Sequence, residues 1–173
     1  MNNIVLIGFM GSGKTSIGKI VAKMLGLKFI DTDYYVEKMI GKSIKYIFEV
    51  YGEKYFREME KRAITEIYNM RPIVISTGGG VVLQEYNMNL LKLYSIVFFI
   101  YAPVEKIIKN ISFDTKERPL LNRKDWVSEV KELMKKRESL YYKYADFIVD
   151  TTDKDIEGSA QEIVEIYKRL YSI

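Results

Sequence analysis

Residues 8–15 read GFMGSGKT and match the pattern G-x-x-x-x-G-K-[ST]. Their setting constrains the fold more than the letters do. The apolar run NIVLIGF (3–9) reads as a buried strand, and SIGKIVAKMLG (16–26) reads as an amphipathic helix. Ile17, Ile20, Val21, Met24 and Leu25 follow the 3-4 spacing of one helical face, with Gly26 where a C-cap glycine belongs. A strand that turns through glycines straight into a helix is the context a phosphate loop requires. The glycines let backbone N–H groups turn inward around an anion, and the helix N-terminus adds the positive end of its dipole. Lys14 is placed to reach terminal phosphates and the Thr15 hydroxyl to ligate Mg²⁺.

Four more apolar runs follow: KFIDTD (28–33), PIVISTG (72–78), SIVFFIYA (95–102) and ADFIVDT (145–151). Their hydrophobicity is continuous, as expected of strands covered on both faces of a parallel sheet. Helical patterns at 43–70, 84–93, 103–111, 125–143 and 155–171 alternate with them. The expected fold is a three-layer α/β/α sandwich around a five-stranded parallel sheet, a single domain over residues 1–173. Two stretches exceed a simple crossover. Residues 34–70 are mostly helical and too many for one connection. Residues 112–124, SFDTKERPLLNRK, are polar and basic, with Pro119 stiffening the turn. Insertions of this kind commonly carry substrate or close over a site.

The chain contains no cysteine and no histidine, which narrows the chemistry. Thiolate nucleophiles, disulfides and imidazole bases are excluded, leaving Asp, Glu, Lys or Tyr for proton transfer. Lys and Arg exceed Asp and Glu by 27 to 23, but they are spread along the chain, whereas a nucleic-acid binder concentrates them. No apolar run reaches membrane-spanning length, and a first strand at Asn3 leaves no room for a signal peptide. A cytoplasmic monomer acting on small anions is the expectation.

Asp31 and Asp33 end the second strand, where ligands gather in a doubly wound sheet. On an extended chain they would point the same way, one toward Mg²⁺ and one toward an acceptor hydroxyl. The plainer alternative makes Asp33 a helix N-cap. Arg57 has Glu60 three residues on, which a solvated ion pair alone would explain. Arg137 falls in a row with Val127, Val130, Met134 and Tyr141, so its guanidinium either snorkels to the surface or points into a wet cleft. Arg118 lies in the polar insertion, from which it could neutralise a transferring phosphoryl group.

Taken in order, GFMGSGKTSIGK, FIDTDYYVE, FRxxE (56–60), STGGG (76–80), RPLL (118–121) and RxxxY (137–141) resemble shikimate kinases over essentially the whole length. The resemblance implies a fold like that of nucleoside-monophosphate kinases and transfer of the ATP γ-phosphoryl group to the 3-hydroxyl of shikimate. It implies that Gly11, Ser12, Gly13, Lys14, Thr15 and Ser16 wrap ATP phosphates, with Thr15 and Asp31 serving Mg²⁺. By the same resemblance, Asp33 binds shikimate hydroxyls and receives the proton, Arg57 and Arg137 clamp the carboxylate, and Gly79 contacts the acceptor through its backbone. Residues 34–70 become the shikimate-binding region and 112–124 a lid whose Arg118 touches ATP. The adenine side departs from the pattern: Lys109 or Asn110 stands near the place of a usual arginine, and TTDKDIE lacks a common proline, leaving Lys154 for that side.

STGGG has no lysine after its glycines, so it is not a second phosphate loop. Side-chain-free backbone at Gly78, Gly79 and Gly80 reads instead as a floor for a small polyhydroxylated ring, with N–H groups available to it. A gluconate-type or nucleotide kinase would share the phosphate loop but not the two arginines and the triple glycine. A nucleotide-dependent switch without chemistry would need an exposed partner motif, and none is present.

Overall fold

The computed structural model of the protein describes residues 1–113 and 125–172. Each expected apolar run forms a strand: β1 (Asn3–Ile7), β2 (Lys28–Asp31), β3 (Ile73–Ser76), β4 (Ser95–Tyr101) and β5 (Phe147–Asp150). They pair in parallel in the order β2-β3-β1-β4-β5. The order reverses beside β1, so the loop after β1 opens into the crevice where such sheets hold ligands.

The helices in chain order are α1 (Lys14–Leu25), α2 (Thr32–Ile40), the single turn α3 (Ile44–Tyr46), α4 (Gly52–Ile67), α5 (Glu85–Lys92), α6 (Val104–Phe113), α7 (Trp126–Tyr144) and α8 (Ile156–Tyr171). The continuous hydrophobicity of β1 now has its cause. Ile4 and Leu6 pack with Ile17 and Val21 of α1 and Ile163 of α8 on one face. Val5 and Ile7 pack with Ile64 of α4, Leu91 of α5, Ile107 of α6 and Val130 of α7 on the other. All four β1 side chains are fully buried. Each contributes about 1.5–3 kcal/mol of transfer free energy against the entropy of ordering. This three-layer arrangement is the one the strand–helix alternation predicts.

The helix expected over 43–70 is broken. α3 runs into a π-helical turn at Ile47–Tyr51, and the chain resets at Gly52, with φ 81 and ψ 170, before α4 begins. Gly52 makes that reset cheap because a Cβ there would carry the strain of positive φ. Val36, Ile47, Phe56 and Ala63 form a small core of their own, while Ile64 and Ile67 of α4 join the main core on the sheet face. Of the expected lid, Ser112 and Phe113 complete α6; Arg118 and Pro119 lie outside the described residues.

Candidate active site

The phosphate loop follows from backbone conformation. Gly8, Gly11 and Gly13 have φ of 149°, 76° and 93°, in the region that disfavours residues with a Cβ. Gly13 sits in the N-cap position of α1 without offering a side-chain acceptor, so the first N–H groups of the helix face the loop. Lys14 is almost fully buried and spans the loop, its Nζ donating to the Phe9 carbonyl at 2.8 Å. Asn110 of α6 braces the loop from outside, donating to the Gly11 carbonyl at 2.8 Å.

Three oxygen-bearing side chains meet at the strand ends beside this loop. Thr15 Oγ1 donates to Asp31 Oδ2 at 2.8 Å and lies 3.4 Å from Ser76 Oγ. The sheet register places Asp31 directly across from Ser76. Among the described residues no three His, Cys, Asp or Glu side chains cluster as a metal cage. One carboxylate with neighbouring hydroxyls is nevertheless a donor set that fits Mg²⁺, which keeps waters and phosphate oxygens as its other ligands.

Asp31 is also the N-cap of α2. Its Oδ1 accepts from the Asp33 and Tyr34 N–H groups at 3.1 and 3.3 Å. This corrects two expectations: the cap is Asp31 rather than Asp33, and the two carboxylates do not share an extended strand. Helix α2 begins at Thr32, and Asp33 lies in its first turn. Capping thereby releases Asp33 from any backbone duty. Its Oδ1 is buried and has no hydrogen-bond partner among the described residues. Burial pushes its pKa up to about 7, helped by the charges of Asp31 and Glu60 and opposed by Lys14 and Arg57. A carboxyl poised near neutrality and unsatisfied inside a cleft is suited to accept a proton or a hydroxyl hydrogen bond.

The triple glycine lies against these side chains. A Cβ on Gly78 would sit 2.5 Å from Asp33 Oδ1, and one on Gly80 would fall inside the Arg57 guanidinium. One on Gly79 would come 3.1 Å from the Met10 nitrogen of the phosphate loop. None of the three has positive φ. The Gly78 N–H is committed to Thr32 Oγ1 at 3.0 Å, so it is not part of an N–H floor. The glycines make room for the polar side chains around the cleft as much as for anything lying on them.

Arg57 is not a solvated ion pair. Its Nη1 reaches Glu60 Oε2 at 3.0 Å and its Nη2 reaches Glu53 Oε1 at 3.1 Å. Glu60 is fully buried, its Oε1 is unpartnered among the described residues, and burial raises its carboxyl pKa against the pull of Arg57 and Arg137. Removing one member of such a pair leaves an uncompensated charge, so the pair holds the guanidinium in place. Arg137 does not snorkel. It is half-buried, its Cζ lies 5.9 Å from the Phe9 ring centroid, and its charge acts on both Glu60 and Tyr141. Two arginines from α4 and α7 therefore approach one buried carboxylate beside the phosphate loop.

Lys154 lies away from this cluster, its Nζ paired with Glu162 of α8 at 2.7 Å. Lys106 of α6 donates to the Thr151 and Lys154 carbonyls and ties that loop to the sheet end. Sequence reasoning gave no role to Thr32 or Tyr141, read Glu60 only as an ion-pair partner of Arg57, and placed Asn110 near the adenine side rather than on the Gly11 carbonyl. The motifs FRxxE and RxxxY contain two of them, at helical spacings from the arginines they serve.

A phosphate loop, a neighbouring carboxylate with hydroxyls and an arginine-lined cleft at the strand ends define a P-loop kinase. The comparisons with known proteins narrow the class. The family model described as shikimate kinase matches residues 10–168, and the chain belongs to the shikimate kinase family. It is 46% identical over 170 residues to a shikimate kinase of Caldanaerobacter subterraneus subsp. tengcongensis, covering 98% of both chains. The solved shikimate kinase from Acinetobacter baumannii in complex with shikimate superposes with a TM-score of 0.92 at 35% identity, over 98% of this chain and 94% of that one. A gluconokinase from Sinorhizobium meliloti matches with a TM-score of 0.60 at 16% identity, over 98% of this chain and 93% of that one, a likeness of fold alone.

Proposed function

We propose that the protein transfers the γ-phosphoryl group of ATP to the 3-hydroxyl of shikimate, giving shikimate 3-phosphate and ADP. One observation carries the reading: the Asp33 carboxyl, its buried Oδ1 without a partner among the described residues, sits between the charges of Lys14 on the donor side and Arg57 on the acceptor side. In the reaction the shikimate hydroxyl oxygen forms a bond to the γ-phosphorus while the bond from that phosphorus to the β,γ-bridging oxygen breaks. The hydroxyl proton goes to Asp33, and ADP carries away the electron pair. Phosphoryl transfer of this kind demands positioning and charge neutralisation rather than covalent work.

The chain supplies both. Gly11 to Ser16 bind the phosphates, with Lys14 at the β and γ oxygens. Arg57 and Arg137 hold the shikimate carboxylate by charge-assisted hydrogen bonds. Thr15 and Asp31 would hold Mg²⁺, which would supply charge neutralisation on the phosphates when bound. Ser76 Oγ is close enough to Thr15 to support that shell. Residues 34–70 form the acceptor-binding region, 112–124 the lid bearing Arg118, and Lys154 belongs to the adenine side. A monomer acting on a small-molecule substrate belongs to the same reading. No helix among the described residues is long and apolar enough to cross a membrane, in keeping with a cytoplasmic enzyme.

The test is a coupled ADP-release assay with ATP and Mg²⁺. Turnover is expected with shikimate and not with gluconate or nucleoside monophosphates. Background rates with shikimate beside turnover of another acceptor would overturn the reading.

A further inference from the structure

Tyr141 has no assigned role, yet it meets both Gly79 and the sheet at the cleft. It lies one helical turn beyond Arg137 on α7 and is 2% exposed. Its ring stacks on Phe99 of β4, with centroids 5.1 Å apart and planes at 18°. Its hydroxyl donates to the Gly79 carbonyl at 2.6 Å. Arg137, four residues before it on the same helix, is near enough for its charge to act on the hydroxyl and, with Arg57, partly offsets the burial that raises the phenol to about 12. The hydroxyl therefore keeps its proton at any working pH. Gly79 in turn packs on the phosphate loop at Met10. One hydroxyl thus joins the helix that carries an arginine of the clamp, the backbone of the acceptor floor and, through Gly79, the donor loop.

Resting on the shikimate reading, we infer that Tyr141 is a positioning residue for the acceptor, its hydroxyl setting the Arg137 head and the Gly79 peptide at the spacing the acceptor carboxylate and ring require. Stacking on Phe99 fixes the ring, and the single short hydrogen bond fixes the height of α7 over Gly79. Without the hydroxyl, the Gly79 carbonyl loses its buried donor and Arg137 loses a neighbour that limits its rotamers. The loss should fall on acceptor binding. Lys14, Thr15 and Asp31 hold their places through bonds that do not involve α7.

The test is Tyr141→Phe, which keeps the ring and the stack. KM for shikimate should rise about tenfold, the effect of one buried neutral hydrogen bond. kcat and KM for ATP should stay within about twofold. A shikimate analogue with the carboxylate reduced to an alcohol should lose less affinity between parent and variant than shikimate does, because only the Gly79 contribution is left to lose. Arg137→Lys combined with Tyr141→Phe should cost less than the two single effects together. A melting temperature lowered with KM for shikimate unchanged, or equal rises in KM for both substrates, would overturn the inference. If Tyr141→Phe fails to fold, Phe99→Leu decides instead, because it loosens the stacked Tyr141 ring while leaving every assigned side chain in place. KM for shikimate should then rise with KM for ATP unchanged, and an unchanged KM for shikimate would overturn the inference. Failure of the shikimate reading would show separately, as an inactive parent enzyme.

Discussion

The two glycine-rich segments on either side of the cleft look alike in sequence and are glycine-rich for different reasons. In the phosphate loop, Gly13 has φ 93°, and a Cβ there would meet nothing closer than Ile17 Cδ1 at 3.6 Å. At Gly13 glycine stands for conformation alone, whereas Gly8 and Gly11 combine positive φ with crowding, a Cβ there coming 2.6 Å from the Ile100 carbonyl oxygen and 2.9 Å from Ile111 Cγ1. In the triple glycine the conformation is ordinary and the space is not: Gly80 has φ −95°, and a Cβ would intrude on Arg57. Glycine stands there to let side chains from other elements come close. On the proposed reading the donor is gripped by backbone, and the acceptor by side chains that the missing Cβ atoms admit. A phosphate group presents the same oxygens in every nucleotide, so fixed N–H groups suffice for it. A polyhydroxylated carboxylate needs its charge and hydroxyls matched one by one, which takes carboxyl and guanidinium groups.

The largest expected effect tests whether space around Asp33 is what Gly78 provides. Gly78→Ala should push the carboxyl away and lower kcat about 10²–10⁴-fold, the range a positioned proton acceptor supplies. Asp33→Asn should do the same with the space intact. The double variant should be no worse than either single one, because both remove the same function. Steady-state kinetics with saturating ATP gives all three values. Additive losses would mean that Gly78 serves something other than Asp33.

The next comparison sets one segment directly against the other. Gly80→Ala should displace the Arg57 head and raise KM for shikimate about 30-fold, the scale of weakening one charge-assisted contact, with KM for ATP unchanged. Gly13→Ala should act the opposite way, raising KM for ATP and lowering the melting temperature by about 3–6 °C, from roughly 1–2 kcal/mol of left-handed strain. Gly13→Asn should recover part of that loss, since asparagine tolerates positive φ, whereas Gly80→Asn should be worse than Gly80→Ala. Calorimetry and kinetics on the four variants would expose any position where conformation and space have been assigned the wrong way round.

Much of this was legible in the sequence because each strong signal there is local. The strands read correctly because β1 and β4 are apolar on both faces, and the phosphate loop because its glycines are spaced by their own backbone needs. The details that went wrong depend on partners distant in sequence. Whether Asp31 or Asp33 caps α2 is decided by where β2 ends, and β2 ends where its pairing with Ser76 does. The break at Gly52 is invisible to a 3.6-residue period that continues on both sides of it. Glu60 reads as a surface carboxylate from its neighbours Glu58, Lys61 and Arg62, and only the packing of α4 against the sheet buries it. The role of Tyr141 rests on a contact 62 residues away.

The smallest effect concerns stability, and its sign follows from the same crowded carboxyl. In metal-free buffer an unfolded Asp33 loses its proton near its ordinary value of 3.8, whereas the folded carboxyl holds it to about 7. Between those values the folded state binds more protons than the unfolded one, so this group makes stability fall as pH rises and contributes no further change above 7. Asp33→Asn removes the charge without removing the volume. The variant should therefore melt several degrees above the parent at pH 8, and most of the gap should close by about pH 4, where the folded carboxyl is neutral. Melting curves over that range, read alongside the loss of turnover in the same variant, place activity and stability in opposition at one residue. A variant less stable than its parent at pH 8 would mean that Lys14 and Arg57 gain more from the carboxylate than burial takes from it. The acceptor side would then be held together by its charges, and its preorganisation would not be imposed against them by the fold.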